Sequence, residues 1–183
     1  MSGESLVLRL RRRLRRWSDR AADLRARWFG STPIVPPPAR VVFVCRGNIC
    51  RSSYAEYWIA KHRPDLVVES AGVHVRRSMP APDAAIKAAA MSGIDLEPHR
   101  SQSIHNVAPA PRTLYVVMEP WHAEEDSMRE READAIVVAL GAWAQPRRAI
   151  IPDPYGRDVA TFHETFLQMG QALDRLVSAW PQS

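Results

Sequence analysis

Cysteine is scarce in this sequence, and both copies lie close together. Cys45 and Cys50 are the only two cysteines among 183 residues. A disulfide framework would spread its cysteines to join distant segments, so this pair indicates a reducing, cytoplasmic setting. The sequence also lacks the apolar run of roughly 20 residues that a membrane-spanning helix needs. Arginines interrupt the apolar residues of 6–16, unlike a secretory signal. We therefore expect a cytoplasmic protein, soluble or peripheral at the inner face of the membrane.

Most of the chain also lacks a net positive charge, although the formal net charge of the whole sequence is +5. Residues 1–40 contain ten arginines and three acidic residues, whereas the remaining 143 residues contain 15 basic and 17 acidic ones. The basic character therefore belongs to the N-terminus, and nucleic-acid binding by the body of the protein is not predicted. The composition of 46% hydrophobic and 25% charged residues is that of an ordinary globular domain.

The N-terminal segment has the pattern of a basic amphipathic helix. Its apolar positions recur every three or four residues among arginines, which places them on one stripe of a helix. They are Leu10, Leu14, Trp17, Ala21, Leu24 and Trp28. Pro33 and the prolines at 36–38 then end the helix and act as a stiff spacer. We predict this appendage over residues 1–39 and one domain over residues 40–183.

The appendage has several open interpretations. Residues 6–28 can contact an anionic membrane surface or an acidic partner, and the stripe also permits self-association. Alternatively, the tryptophans pack on the domain with the arginines facing solvent, or the segment is a disordered basic tail.

Strands and helices alternate along the domain, which predicts the α/β class with a parallel sheet covered on both faces. The predicted strands are residues 41–45, 66–70, 113–118 and 149–151. Four helices are predicted. The first starts at Ser52 or Ser53 and ends before Pro64, and the second covers 82–93. The third follows the third strand to about residue 131, and the fourth runs from Val159 to Trp180.

The loop after the first predicted strand carries the clearest chemical signal. Ligands collect beyond the carboxyl ends of parallel strands, and Cys45 ends the buried segment VVFVC there. The following loop and the helix N-terminus supply backbone N–H groups for an anion. Arg51 can add a bidentate clamp for two oxygens of a tetrahedral oxyanion. Because thiols in such a positive field ionise readily, we expect Cys45 to be a thiolate nucleophile beneath a bound phosphate.

Attack on phosphorus also requires an acid that protonates the departing oxygen. Asp153 is the candidate, since it follows the fourth predicted strand and lies between Pro152 and Pro154. It would then activate the water that hydrolyses the cysteinyl-phosphate. Tyr155 could line the pocket with an aromatic face. A buried structural cysteine and an ordinary Asp-Pro turn are the plainer alternatives, and the conjunction of both motifs favours the catalytic interpretation.

These motifs resemble those of the low-molecular-weight protein tyrosine phosphatases, particularly the bacterial type. VCRGNICRS is similar to the phosphate-binding loop of that family, and PDPYGR is similar to its acid loop. Further similar segments are ESAG (69–72), GIDLEPHRSQ (93–102) and VVMEPWH (116–122). The resemblance implies a four-stranded parallel sheet flanked by helices, with the phosphate-binding loop after the first strand, and no metal or other cofactor.

The resemblance also implies roles for individual residues. Cys45 would be the nucleophile, Arg51 the phosphate clamp and Asp153 the general acid and base. Cys50 would trap oxidised Cys45 as a reversible disulfide. The substrate-binding residues would be Arg46, Gly47, Asn48, Ile49, Cys50 and Tyr155. The residues that support the loop would be Ser52, Ser70 and His99, together with Asn48. The substrate would be a phosphotyrosine-containing protein, and a bacterial tyrosine kinase is the partner that the family context suggests.

Three positions depart from the family pattern. The family usually has Pro after the last serine of the loop, where this chain has Ser53, and both residues suit the first turn of a helix. Glu119 stands where Asp is common after the methionine. An ungapped alignment places Arg76 where bacterial relatives carry an aromatic wall of the substrate slot. We therefore expect Arg76 to replace half of the aromatic slot and to favour acidic residues around the phosphotyrosine.

Three rival functions remain open. An arsenate reductase would need an external thiol here, because no cysteine follows Cys50. Protein arginine phosphatases tend to have Thr at the position of Ile49, so the bulkier Ile49 argues against that function. A phospho-binding module with an inactive site would have lost Cys45, Arg51 or Asp153, and all three are present.

Overall fold

A computed structural model describes residues 38–129 and 136–180. The predicted N-terminal helix lies outside these residues. The described strands are β1 (Arg40–Cys45), β2 (Val67–Gly72), β3 (Thr113–Val117) and β4 (Ile136–Ala139). The described α-helices are α1 (Arg51–His62), α2 (Asp83–Met91), α3 (Pro120–Glu124), α4 (Asp126–Arg129) and α5 (Val159–Ser178). Short 3₁₀ helices cover Ile104–Asn106 and Leu140–Trp143.

The four strands form one parallel sheet in the order β2-β1-β3-β4. The central strand β1 alternates its side chains between two apolar layers, because successive residues of a strand point to opposite faces. Val41 and Phe43 contribute to the layer that includes residues of α1, α2 and α5. Val42 and Val44 contribute to the layer that includes Met128 of α4. The predicted four-stranded sheet with helices on both faces is therefore confirmed.

The predicted position of the fourth strand is wrong. Residues 149–151 form no strand, although Ile151 donates one backbone hydrogen bond to Met118 at 2.9 Å. The fourth strand is instead Ile136–Ala139, which pairs with β3. Both segments are short and apolar, so their sequences alone do not show which one joins the sheet. Pairing with β3 identifies Ile136–Ala139 as the fourth strand. The segment 149–151 remains buried at Ala149 and Ile151 and leads directly to Asp153.

The helix boundaries also differ from the predictions. Helices α2 and α5 each end two residues earlier than predicted, and two larger differences concern α1 and the helix after β3. Helix α1 begins at Arg51 after Cys50, and neither serine provides a side-chain cap. The hydroxyl of Ser53 donates to the Cys50 carbonyl at 2.8 Å. The single helix predicted after the third strand is two short helices, α3 and α4. Within the described residues, no helix is both long and apolar enough to span a membrane.

Candidate active site

The loop between β1 and α1 is fixed in shape by the end of β2. Backbone N–H groups of Val73 and His74 donate to the carbonyls of Cys45 and Arg46 at 3.0 and 2.8 Å. A Cβ atom on Gly72 would lie 2.8 Å from the Arg46 carbonyl oxygen. Only a residue without a side chain therefore allows the strand and the loop to approach this closely.

Asn48 is the centre of the hydrogen bonds that hold the loop. Its side-chain amide donates to the hydroxyls of Ser52 and Ser70 at 2.9 and 2.7 Å, and its Oδ1 accepts from the Gln102 N–H at 2.8 Å. His99 Nε2 donates to the Asn48 carbonyl at 2.6 Å, because a carbonyl can only accept. Burial is the main cause that lowers the pKa of His99. The structure thus brings together all four residues predicted to support the loop.

Cys45 lies at the base of this loop and is buried. The Asn48 N–H donates to Sγ at 3.2 Å, and the Ser52 hydroxyl oxygen lies 3.0 Å from Sγ. Since Ser52 Oγ already accepts from the Asn48 amide, its own proton is available to the sulfur. Both donors are therefore directed at the sulfur of the predicted nucleophile.

Arg51 is buried beneath the mouth of the loop, with a side-chain exposure of 1%. Its Nη1 donates to Glu119 Oε1 and to the Ile151 carbonyl, both at 2.7 Å. Its Nη2 lies 2.9 Å from Asp153 Oδ2, and its buried Nε has no hydrogen-bond partner among the described residues. Burial alone would lower the pKa of Arg51, but the negative charges of Cys45, Asp153 and Glu119 raise it above its ordinary value.

Asp153 and Tyr155 complete an open cavity of about 340 Å³ above Cys45. The Asp153 side chain is 41% exposed, so it reaches both Arg51 and solvent. Its Oδ1 accepts from the Tyr155 N–H at 3.3 Å. The remaining lining residues are Arg46, Gly47, Ile49, Cys50, Arg51 and His74. Two loops that are about 100 residues apart in the chain therefore meet at one cavity, as the sequence predicts.

Arg76 does not line this cavity. His74, two residues earlier, lines it instead, and Arg76 lines a neighbouring cavity. The expectation that Arg76 forms a wall of the substrate slot is therefore wrong. The hydrogen bonds that join residues 73 and 74 to the loop decide this placement, because they fix which side chain of the segment reaches the rim.

Two residues that position Arg51 were missed as functional residues. Glu119 accepts from Arg51 through Oε1 and from the Trp121 indole through Oε2, at 2.7 and 2.9 Å. His122 Nδ1 accepts from the Glu119 N–H at 3.1 Å, forming a capping box at the start of α3. The signal was available in MEPWH, since an acceptor at the N-cap and another three residues later mark a capping box. Burial, followed by the charge of Arg51, lowers the pKa of His122 to about 3.

Cys50 also borders the cavity, and both cysteines are free thiols. Burial is the main cause that raises the pKa of the Cys50 thiol, and the negative charges of Cys45 and Asp153 raise it further. Cys50 is therefore a neutral thiol, in contrast to the nucleophile expected at Cys45. Among the described residues, no three His, Cys, Asp or Glu side chains are grouped so that they could hold a metal ion.

An α/β fold with a cysteine in an anion-binding loop, an arginine beneath it and a carboxylate opposite defines a cysteine-dependent phosphatase class. The sequence model described as "Low molecular weight phosphotyrosine protein phosphatase" matches residues 40–182. The chain belongs to this family. It is thus a phosphoric monoester hydrolase of the protein tyrosine phosphatase type, as predicted.

The names of similar proteins agree with this assignment. The chain is 33% identical over 143 residues to the low molecular weight protein-tyrosine-phosphatase Wzb of Escherichia coli K12, covering 78% of this chain and 93% of the relative. It is 31% identical over 140 residues to a probable low molecular weight protein-tyrosine-phosphatase, EpsP, of Ralstonia nicotianae, covering 76% and 92%.

Solved structures share the fold. Wzb of Vibrio vulnificus in complex with benzylphosphonate has a TM-score of 0.66 at 27% identity, covering 78% of this chain and 99% of that one. The YwlE arginine phosphatase of Geobacillus stearothermophilus has a TM-score of 0.64 at 26% identity, covering 77% and 92%. The fold alone therefore does not separate phosphotyrosine from phosphoarginine.

Proposed function

We propose that this protein hydrolyses phosphotyrosine in proteins through a cysteinyl-phosphate intermediate. The placement of Cys45, Arg51 and Asp153 around one cavity carries the proposal. In the first step the Cys45 thiolate attacks phosphorus, an S–P bond forms, and the bond between phosphorus and the phenolic oxygen breaks. Asp153 gives its proton to that oxygen, so tyrosine leaves as a neutral phenol.

The second step regenerates the enzyme. Asp153, now a carboxylate, takes a proton from a water molecule whose oxygen attacks phosphorus. The S–P bond breaks, and inorganic phosphate and the Cys45 thiolate are released. The guanidinium of Arg51 binds two phosphate oxygens in both steps, using its unpartnered Nε and the Nη2 that otherwise contacts Asp153. Loop amides of residues 46–51 bind the remaining charge.

Ile49 favours phosphotyrosine over phosphoarginine. Its side chain lines the cavity, where its bulk and lack of hydrogen-bonding groups suit an aromatic ring better than a guanidinium. Tyr155 offers an aromatic face on the same cavity. Arsenate reduction has weaker support, because the chain has no cysteine beyond Cys50 that could relay a disulfide.

The test compares three substrates on wild-type protein and on Cys45→Ser. We expect turnover of a phosphotyrosine peptide, with little turnover of phosphoarginine or of arsenate plus glutathione. Cys45→Ser should abolish turnover and still bind inorganic phosphate, measured by calorimetry, because the loop amides and Arg51 remain. Turnover by Cys45→Ser, or a faster reaction with arsenate or phosphoarginine, would contradict the proposal.

The proposed partner is a phosphotyrosine-containing protein, such as a tyrosine kinase that carries the modification itself. The names of the relatives, which are protein-tyrosine-phosphatases, support this substrate class. We further propose that residues 1–39 form an appendage that contacts an anionic membrane surface or an acidic partner through residues 6–28, in a cytoplasmic setting. Its nine arginines against three acidic residues support such a contact.

A further inference from the structure

A second cavity of about 410 Å³ adjoins the catalytic one. The two cavities share Gly47, Ile49 and His74 as lining residues, so these three residues form the boundary between them. Arg76 and Arg77 line only the second cavity. A peptide whose phosphotyrosine occupies the first cavity would cross this boundary with its neighbouring residues. The second cavity is therefore placed to receive a side chain close to the phosphotyrosine.

The second cavity carries positive charge, whereas residues 41–183 as a whole do not carry a net positive charge. Arg76 and Arg77 are exposed, and neither forms an ion pair with any of the described residues. Within the part of the chain that the structure describes, no acidic residue lines the cavity. At the boundary between the cavities, Glu125 Oε2 lies 3.2 Å from His74 Nε2. Since residues 41–183 contain slightly more acidic than basic residues, this local excess of positive charge is not a general property of the surface.

The segment that carries the two arginines is held at both ends. At its start, the Val73 and His74 N–H groups donate to the loop carbonyls of Cys45 and Arg46. At its end, the Met79 N–H donates to the Ser101 hydroxyl at 2.9 Å, and the Ser101 N–H donates to the Met79 carbonyl at 2.8 Å. The backbone of this segment is therefore fixed relative to the catalytic loop, which reduces the entropy lost when its arginines bind a ligand.

We propose that the second cavity binds an anionic side chain of the substrate peptide near the phosphotyrosine, and that Arg76 and Arg77 set this preference. The ligand chemistry is a carboxylate or a second phosphate, both of which pair with guanidinium groups. The inference rests on the proposed phosphotyrosine phosphatase function and adds the class of sequence that the site selects.

The test measures kcat/KM for three peptides that share one phosphotyrosine. The peptides differ only in the two residues on each side of the phosphotyrosine. These residues are Gln in the first peptide, Glu in the second and phosphoserine in the third. Exposed ion pairs contribute modestly, so we expect wild-type protein to prefer the Glu peptide over the Gln peptide by about 3- to 10-fold. The preference should shrink as salt is added. The kcat/KM of the Glu peptide and that of the phosphoserine peptide are each divided by that of the Gln peptide. The larger ratio identifies the preferred anion as a carboxylate or as a second phosphate.

The variants are Arg76→Gln with Arg77→Gln, and Arg76→Glu with Arg77→Glu. The ratio of kcat/KM between the Glu and Gln peptides should fall to about one in the first variant and below one in the second. Lys87→Gln is the matched control, since Lys87 is exposed on α2 and lines neither cavity; it should keep the wild-type ratio. Equal rates on the Glu and Gln peptides in wild type, or a ratio unchanged in the double variants, would overturn the inference. Failure to hydrolyse any of the three peptides would instead overturn the proposed function.

Discussion

Asn48 adopts a left-handed backbone conformation, with φ of +53°. Asparagine is among the few residues other than glycine that tolerate this region, and here its side chain also makes three hydrogen bonds to Ser52, Ser70 and Gln102. One residue thus turns the loop and ties it to β2. The sequence pattern identified Asn48, Ser52, Ser70 and His99 because they occur in family-specific motifs. The sequence assigns no role to Gln102, although its backbone N–H donates to Asn48 Oδ1 and its side-chain Nε2 donates to the Ser70 carbonyl at 3.0 Å.

Asp153 provides the sharpest prediction for a single side chain. In Asp153→Ala no acid protonates the departing oxygen, so esters with a poor leaving group, such as phenyl phosphate, should react about 10²- to 10⁴-fold more slowly. Esters whose leaving group needs no proton, such as p-nitrophenyl phosphate, should lose much less. Steady-state rates across a series of aryl phosphates of rising phenol pKa measure this difference.

Asp153→Asn is the control for the role of Asp153 in holding Arg51. It retains an oxygen that can accept from Arg51 Nη2 but cannot act as an acid at this step. It should show the same dependence on the leaving group as the alanine variant. An equal loss on good and poor leaving groups would remove Asp153 from the acid role.

Gly72 tests the junction between two elements, the end of β2 and the catalytic loop. In Gly72→Ala the new Cβ would lie 2.6 Å from Val75 Cγ2 and 2.9 Å from the Asn48 backbone nitrogen. Overpacking of this kind costs about 1–3 kcal/mol of unfolding free energy. Because the displaced backbone carries the amides that face the phosphate, kcat/KM should also fall, on the order of 10- to 100-fold. Thermal unfolding and steady-state kinetics measure the two effects.

Gly47→Ala is the matched substitution within the loop. Its Cβ would meet only Ile49 Cγ1, at 3.7 Å, which is ordinary contact. We expect its melting temperature to change far less than that of Gly72→Ala. Similar destabilisation by both substitutions would mean that the tight approach at Gly72 does not hold the loop.

The elements differ in how far the sequence could predict them. Strand β1 and its loop were recognisable, because a buried β-branched run ends in a motif of high specificity. The start of α1 was misassigned at Ser52 and Ser53, since capping preference favours a serine side chain at the N-cap. In the structure Ser52 contacts Cys45 and Asn48 instead. The catalytic loop thus uses a residue that local helix preference would have placed elsewhere.

The fourth strand shows a limit of a different kind. Ile136–Ala139 lies at the edge of the sheet, and Ile136 and Val137 are partly exposed. Ala149 and Ile151 are more deeply buried, as the side chains of a central strand would be. Residues 149–151 nevertheless form no strand. Sheet membership depends on pairing with β3, a contact that spans more than twenty residues and leaves no local signal.

The stability of the whole molecule should depend on pH through His122. The pKa of this buried histidine is about 3 in the folded protein, below its ordinary value of 6.5. Between these values the unfolded chain binds more protons, so stability is lost as pH falls below about 6.5. Between pH 7 and pH 5, His122 alone should lower the free energy of unfolding by about 2 kcal/mol, because each pH unit well below 6.5 lowers it by about 1.4 kcal/mol.

Urea unfolding of wild-type protein and His122→Asn across this range measures the effect. Asparagine keeps an acceptor for the Glu119 N–H but does not titrate, so its unfolding free energy should fall less on acidification. His99, whose pKa is also lowered, is present in both proteins and cancels in the comparison. Parallel pH profiles for the two proteins would show that His122 is not the buried neutral group described above.

The central claim is that Cys45 becomes phosphorylated during turnover. Rapid quenching of the reaction with a phosphotyrosine peptide, followed by mass spectrometry of the digested protein, tests it most directly. We predict a phosphate group on the Cys45 peptide and none on the corresponding peptide of Cys45→Ser. With p-nitrophenyl phosphate, whose leaving group needs no proton, the phosphorylated form should also be enriched in Asp153→Ala, because water attack lacks its base. Turnover with no phosphorylated intermediate, or phosphate on any residue other than Cys45, would contradict the account.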